Sequence, residues 1–501
     1  MADARVINVD LAALTREDGS FRTMLAWGDP VSVVEEDATR VKIGVTDYVE
    51  QPDGSILPKT SFGFVKRKLG SRNVTAPAAQ ASVLKVDFVD VQQGDGALIE
   101  TPGGRAITLD GGDNVLFARY LASRFRNTSP AAPKEIDAMV VSHGDADHFA
   151  GLTEIFDSET NQQTEKRLFV HPARVFHNGL VKRPSSVAES KSFGAATKVG
   201  KDTIITGLET DLRDVPDSEM NTYFRAWKKA LKAWTARGPI EFRHLVQGDD
   251  AAFDFLTPEG ITVEVLGPIL TTRDGVSGLR FLGTPRKGPQ IGPPTDQGFG
   301  GLDASHTING HSIVLRLGFG RWRILFAGDL NTQAELSLTA DHAAGRIDLR
   351  SEVFKVPHHG SAEFFGDFLG AVSPVVSVVS SGDESARKEY MHPRATLMSG
   401  LGRSSRDGSQ PVVFVTELVA FFETVGWVRP DATKGVDGKP PRGKDKDFFA
   451  FRRTAYGLVR VRTDGERLLV FTNSGQTQLK EAYAYTANGA GEIAPTAVRK
   501  A

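Results

Sequence analysis

The sequence predicts a layered α/β fold with a small β-rich unit in front of it, and three observations carry that expectation. Between residues 82 and 141, strands and turns alternate closely before a helix and a buried strand. The loop after that strand holds four metal-binding side chains within six positions. The second half then repeats the arrangement, with further acidic and imidazole groups placed directly after apolar strands.

At 501 residues the chain can hold two or three domains, or one large domain with insertions. A formal net charge of -2 gives no overall basic field, so any nucleic-acid binding must come from a local patch. The absence of cysteine excludes disulfides, thiolate metal sites and cysteine nucleophiles, and leaves His, Asp and Glu to hold any metal. The start, MADARVINVDLAALTRED, has acids where a signal peptide needs a basic segment and an apolar run. With no stretch of membrane-spanning length either, the expectation is a cytoplasmic protein with no membrane contact.

In chain order, residues 1–22 read as a tail. Residues 23–75 carry the strands MLAWGDPVSVV, RVKIGVTDYVE and SFGFVKRKL with a Pro-Asp-Gly turn at 52–54, the pattern of a small β-barrel. An Ala-, Asn- and Ser-rich linker over 70–81 leads to the main domain, residues 83–480. That domain opens with SVLKVDFVDV, a turn at 93–96, GALIETPGG and RAITLDGG, followed by a helix over 114–125 and a buried strand over 138–141. An insertion occupies 155–305. Within it, EMNTYFRAWKKALKAWTARG has Phe224, Trp227, Leu231 and Trp234 at helical spacing, as core residues would be. A Gly-, Pro- and Arg-rich loop over 271–303, with Arg273, Arg280, Arg286 and Lys287, is placed to cover a site and attract an anion. The strands SIVLRLGF, RILFAGDL and EVFKVPHHGS follow, with a helix from Gln333 among them. A charged loop over 430–447 reads as solvated, YGLVRVRTDGERLLVFTNS as a last hairpin, and 481–501 as a C-terminal tail.

The chemistry concentrates in residues 140–152, VVSHGDADHFAGL, where His143, Asp145, Asp147 and His148 crowd one turn. Clustered carboxylates and imidazoles are costly unless a cation sits among them. A helix N-terminus capped by Asp147 would account for one carboxylate and leave the others idle. Two more candidate ligand clusters follow apolar strands: Asp329 in FAGDL, and His358 with His359 in KVPHHGS.

Taken together, VDFVDVQQGDGALIETPGG, TLDGG, SHGDADH, NGHSIVLRL, LFAGDL, KVPHHGS and a late TDG turn resemble the metallo-β-lactamase fold family. More narrowly, they resemble the soluble hydrolase domain of ComEC-type competence proteins, in order over residues 83–475. The front unit, with its Gly-Asp-x-Val opening and Gly-Phe-Val ending, resembles bacterial Src-homology-type barrels. The resemblance implies a four-layer αββα sandwich with two divalent metal ions, zinc or manganese, at the edge of the sheets. His143 and Asp145 would bind the first ion, Asp147 and His148 the second, and Asp329 would bridge them. His359 is the favoured direct ligand with His358 as its neighbour, and His177, or failing it His171, would complete the first site. Asp145 stands where many relatives have an imidazole, which shifts preference from zinc toward manganese or magnesium and leaves both zinc and manganese open.

Such a pair of ions would activate a hydroxide between them, with Asp147 orienting it. Asp110 reads as outer support or a turn residue. Asn309, His311 and Ser361 are candidates for contacting a phosphate, and His392 for approaching the site, so that Asp147, His311 and His392 form the candidate catalytic set. The plain alternative for His311 is a strand-start residue bonded to backbone, and for His392 a loop histidine. The leading functional expectation is a phosphodiesterase or nuclease with a phosphodiester substrate, DNA among them. The alternatives are hydrolysis of a small ester, thioester, lactone or cyclic nucleotide, and an inactive binding module of the same fold.

Overall fold

Two sheets share the principal hydrophobic core. In this computed structural model the described residues are 3–501 except 51–55, 68–73, 79–81, 286–298, 383–391, 407–410, 418–425, 429–447, 451–457, 474–480 and 489–490. The turn expected at 52–54, the loop at 430–447, parts of the 70–81 linker, and Arg286 with Lys287 lie outside the described residues.

The larger sheet has ten strands, in the order Glu241–His244, Arg174–His177, Ala138–Val140, Ala106–Asp110, Gly96–Glu100, Leu84–Phe88, Leu458–Thr463, Arg467–Asn473, Ala482–Ala487 and Ile493–Thr496. The first four run parallel to one another. The smaller sheet has six: Ile261–Gly267, Val314–Phe319, Trp322–Phe326, Val353–Lys355, Val376–Val379 and Val412–Val415, with the last four parallel.

The two-residue period of a strand explains how each sheet buries both faces. Ala138 and Val140 join Ile107, Leu109, Ile324, Phe326 and Val376 in the core common to both sheets. There the rings of Phe88 and Phe326 lie 5.7 Å apart. Met139 and Val141, pointing the other way, pack with the helices α1 (Leu116–Arg124), α2 (Ala146–Ser158) and α3 (Thr222–Thr235). Leu325 and Phe354 of the smaller sheet likewise pack with Leu338, Phe368 and Leu401 from three further helices. Phe224, Trp227, Leu231 and Trp234 of α3 are all buried, as their spacing predicts.

Three sequence expectations are corrected. The N-terminal tail expected over 1–22 instead supplies the strands Asp3–Ile7 and Leu11–Thr15 and the start of Phe21–Ala26, all in one seven-stranded sheet. Ile7, Ala12 and Leu14 are buried there beside Val31, Val41 and Ile43, so the unit begins well before residue 23. The outer strands of this sheet, Phe21–Ala26 and Thr75–Pro77, are not paired with each other among the described residues.

The C-terminal tail expected over 481–501 instead adds the last two strands of the larger sheet. It then reaches the N-terminal sheet, where Ala501 N–H donates to Leu11 O at 3.0 Å. Buried Asp10 fastens the same junction by accepting from Arg467 Nη2 (2.5 Å) and Arg499 Nη2 (2.8 Å).

The loop expected over 271–303 contains the strands Thr271–Arg273, Val276–Arg280, Gly283–Pro285 and Phe299–Leu302. Asp274 and Gly275, both at positive φ, form the two-residue hairpin turn that pairs the first two. No helix among the described residues is long and apolar enough to cross a membrane.

Candidate metal centre

Parallel strands within a sheet present their carboxyl ends on one side, which is where α/β folds place chemistry. From the larger sheet, Ala138–Val140 leads through His143 into α2, which carries Asp147 and His148. From the smaller sheet, Trp322–Phe326 leads to Asp329 and Val353–Lys355 to His359. His143, His148 and Asp329 offer ligand atoms all within 4.8 Å of one another, and so do Asp147, His148 and His359.

Asp329 lies between two imidazoles, with Oδ1 3.2 Å from His148 Nε2 and Oδ2 3.2 Å from His359 Nε2. Asp147 Oδ2 is 3.4 Å from the same His359 nitrogen. His148 Nε2, His359 Nε2 and Asp329 Oδ1 are nevertheless buried without a hydrogen bond. Buried polar atoms left in this way are costly, and their convergence, three imidazoles with two carboxylates, fits a divalent transition ion.

The far sides of the two rings are held by groups that fix their orientation. His148 Nδ1 is 2.9 Å from Asp110 Oδ2, and Asp110 also accepts from Ser142 N (2.7 Å) and Ser142 Oγ (2.6 Å). His359 Nδ1 lies 3.2 Å from Ser380 O and 3.4 Å from Asp95 Oδ1, and Asp95 is ion-paired to buried Lys355. Asp95 and Lys355 were not expected at the site. The turn that carries Asp95 packs on the ligand loop itself: Asp95 N–H donates to Asp147 O at 3.2 Å, and a Cβ on Gly94, at φ +119°, would meet that oxygen at 2.1 Å. Asp110, His358 and His359 all adopt left-handed φ, near 58°, 49° and 52°. Strain of that kind in non-glycine residues concentrates at functional sites.

The charges follow from this packing. Burial works against protonation of His148 and His359, but Asp329 beside both rings, with Asp110 behind His148 and Asp147 facing His359, holds both well above the usual 6.5. Burial, then the neighbouring His148, pushes His143 down. Burial opposes ionisation of Asp329, yet the two flanking histidines keep its carboxyl well below the usual range. A cation entering here competes with protons on His148 and His359, so binding releases protons and strengthens as pH rises. Replacing Asp110 with alanine is expected to lower metal affinity roughly 10 to 100-fold, since it frees the His148 ring to rotate and no longer keeps its proton on Nδ1, away from the donor Nε2. A calorimetric titration with Mn2+ or Zn2+ reads this directly.

The remaining sequence candidates fall outside both donor groups. Asp145 is ion-paired with Lys182 Nζ at 2.5 Å, and with the Asn309 amide oriented to suit its neighbours, Asn309 Nδ2 donates to Asp145 Oδ2 at 3.0 Å. His177 commits both ring nitrogens, accepting from Gly179 N–H at Nδ1 (3.0 Å) and donating from Nε2 to Thr210 O (3.0 Å). Burial holds its pKa down to about 4. His311 donates from Nε2 to Arg280 O at 2.7 Å, the plain alternative for that residue. His171 sits on the strand Val170–Pro172 and is in neither donor group. His358 is also outside both groups, its ring 6.2 Å from that of His359 and 6.4 Å from that of His392. Burial and the nearby histidines bring His392 down to about 4. Ser361 Oγ accepts from Glu363 N–H at 3.2 Å.

No family model matches the chain. A competence protein, ComA, of Neisseria gonorrhoeae is 43% identical over 92 residues, which is 18% of this chain and only 12% of that protein's length. A solved structure of a metal-dependent hydrolase of the β-lactamase superfamily aligns at 10% identity over 67% of this chain and 97% of its own, with a TM-score of 0.30. Fold and site together define a mixed α/β protein with a His- and Asp-lined candidate metal centre at the seam of two sheets.

Proposed function

We propose that the chain is a metal-dependent hydrolase of the metallo-β-lactamase type, its sheets and helices stacked αββα, and that it cleaves phosphodiester bonds, DNA among its substrates. The observation that carries this reading is the convergence of His143, Asp147, His148, Asp329 and His359 with their orphaned ligand atoms. An inactive binding module would have no use for such a set. The phosphodiester preference is supported by a cleft of about 570 Å³ lined by Gly144, Asp145 and Ala146 of the ligand loop together with Lys182, Arg183 and Arg225. Three cations against the carboxylates of Asp145 and Glu189 leave this lining with an excess of positive charge, which favours an anionic substrate.

A divalent cation at this centre would supply Lewis-acid polarisation of a phosphoryl oxygen and lower the pKa of a coordinated water. The protein's own groups do the rest. Asp147 has 27% of its side chain exposed, against 4% or less for Asp329, His148 and His359, so it is the carboxylate an attacking water reaches. Burial opposes its charge, but the nearby His359 and His148 outweigh that and keep it ionised, as a proton acceptor must be. Asp95 and Asp110 hold the imidazoles still while this happens.

The test is hydrolysis of bis(p-nitrophenyl) phosphate beside p-nitrophenyl acetate, with Mn2+ or Zn2+ and with chelator. Phosphodiester cleavage that chelator abolishes is the expected result. Cleavage of the carboxylic ester alone would move the chain to the small-ester reading, and neither activity in metal-loaded protein would overturn the enzyme reading.

A further inference from the structure

The donor atoms divide unevenly between the two cation positions that the sequence predicts. Asp147, His148, Asp329 and His359 converge on one of them. His148 also stands within reach of His143, but its one free nitrogen serves a single ion, so with His148 beside Asp147 and His359 the other position is left with His143 and the shared Asp329. His177 is bonded to Gly179 and Thr210, and Asp145 is held by Lys182 on one oxygen and Asn309 on the other. A catalytic divalent ion is ordinarily held by about three protein donors, so two are too few.

The Lys182 contact is built into the fold. Leu180 and Val181, just before it, are buried, and Lys182 O accepts from Asn221 N–H at 3.0 Å, which anchors the backbone at the start of α3. Asn309, on the helix Ala304–Gly310, closes on the same carboxylate from the opposite element. Three separate elements therefore meet at Asp145. We propose that this chain binds one divalent cation, not two, and that the Lys182 ammonium provides at Asp145 the positive charge that a second cation would bring. The ammonium also lines the 570 Å³ cleft. Asp145 uses one of its three donors, which leaves others for an anionic oxygen of the substrate.

The inference rests on the reading of the centre as a metal site and not on its substrate, and bound metal is its readout. Protein stripped with chelator, reloaded with Mn2+ or Zn2+ chloride and dialysed is counted by elemental analysis and native mass spectrometry. Wild type is expected to hold one ion per chain. Lys182→Met frees Asp145 to join His143 and Asp329, and its count should rise toward two. Asp145→Asn, which keeps the side chain's shape, should still hold one ion even if the Lys182 variant fails to fold. Two ions on wild type, a fall below one in Asp145→Asn, or a folded Lys182→Met that stays at one would each overturn the proposal. One ion with no phosphodiester cleavage would defeat the substrate reading and leave this one standing.

Discussion

Asp329→Ala is expected to empty the centre and abolish turnover together. The side chain offers one oxygen toward His148 and the other toward His359, and its removal leaves two imidazoles facing each other with no anion between them. Losing the charge stabilisation that a bound cation supplies costs several kcal/mol, roughly a thousandfold or more in rate. Asp147→Asn separates the two roles of a neighbouring carboxylate, because the amide still offers an oxygen to metal but accepts no proton. It should retain far more metal than activity. Elemental analysis alongside the phosphodiester assay checks both variants, and an Asp329→Ala protein with wild-type metal content and rate would remove the basis for calling this a metal hydrolase.

The second large effect lies away from the site, at Asp87. This carboxylate is buried in the strand Leu84–Phe88, directly opposite Arg460 in the adjoining strand, and accepts from Arg462 Nη1 at 2.7 Å and from Tyr120 OH of α1 at 2.6 Å. Burial raises its pKa, but the guanidinium groups of Arg460 and Arg462 outweigh that and hold it well below the usual 3.8. A depressed folded-state pKa means that the unfolded chain takes up the proton first. The stabilisation is therefore complete above about pH 4 and drains away as pH falls below it. Asp87→Asn should lose about 3 to 5 kcal/mol at neutral pH, because it strands the fully buried Arg462 guanidinium. Its melting temperature should also fall less steeply than that of wild type between pH 4 and lower values. Equal acid slopes in the two proteins would mean that Asp87 is not the group that titrates.

What the sequence revealed, and what it hid, follows from the range of the interactions. The candidate donor loop was legible because His143, Asp147 and His148 are local to one another and follow an unmistakable buried strand. Asp145 looked equivalent to its neighbours there. Its direction is decided by Lys182, 37 positions away, and no local pattern carries that information. His177 was misplaced for the same reason, its ring being fixed by the carbonyl of Thr210. Asp95 did have a local signal, an acid in a Gly-containing turn immediately before the buried strand Gly96–Glu100. Only the partner histidine, far along the chain, turns that signal into a role. The terminal strands were missed because short strands show their burial only once their partners are known: Leu11 pairs on one side with Ala26 and on the other meets Lys500. The Asp274-Gly275 turn was readable in itself, and the surrounding glycines and prolines drowned it.

The donors of the centre come from both sides of the principal core, Asp147 and His148 from the larger sheet's loop, Asp329 and His359 from the smaller sheet. A ligand that only the assembled pair of sheets can bind adds its binding free energy to folding, about 2.7 kcal/mol when free cation exceeds its dissociation constant a hundredfold. On the proposed reading of the centre as a metal site, the melting temperature of this chain is expected to rise with the free metal around it. In chelator, the seam between the sheets should be where amide protons first lose protection, while the seven-stranded N-terminal sheet, which supplies none of these candidate donors, should exchange unchanged.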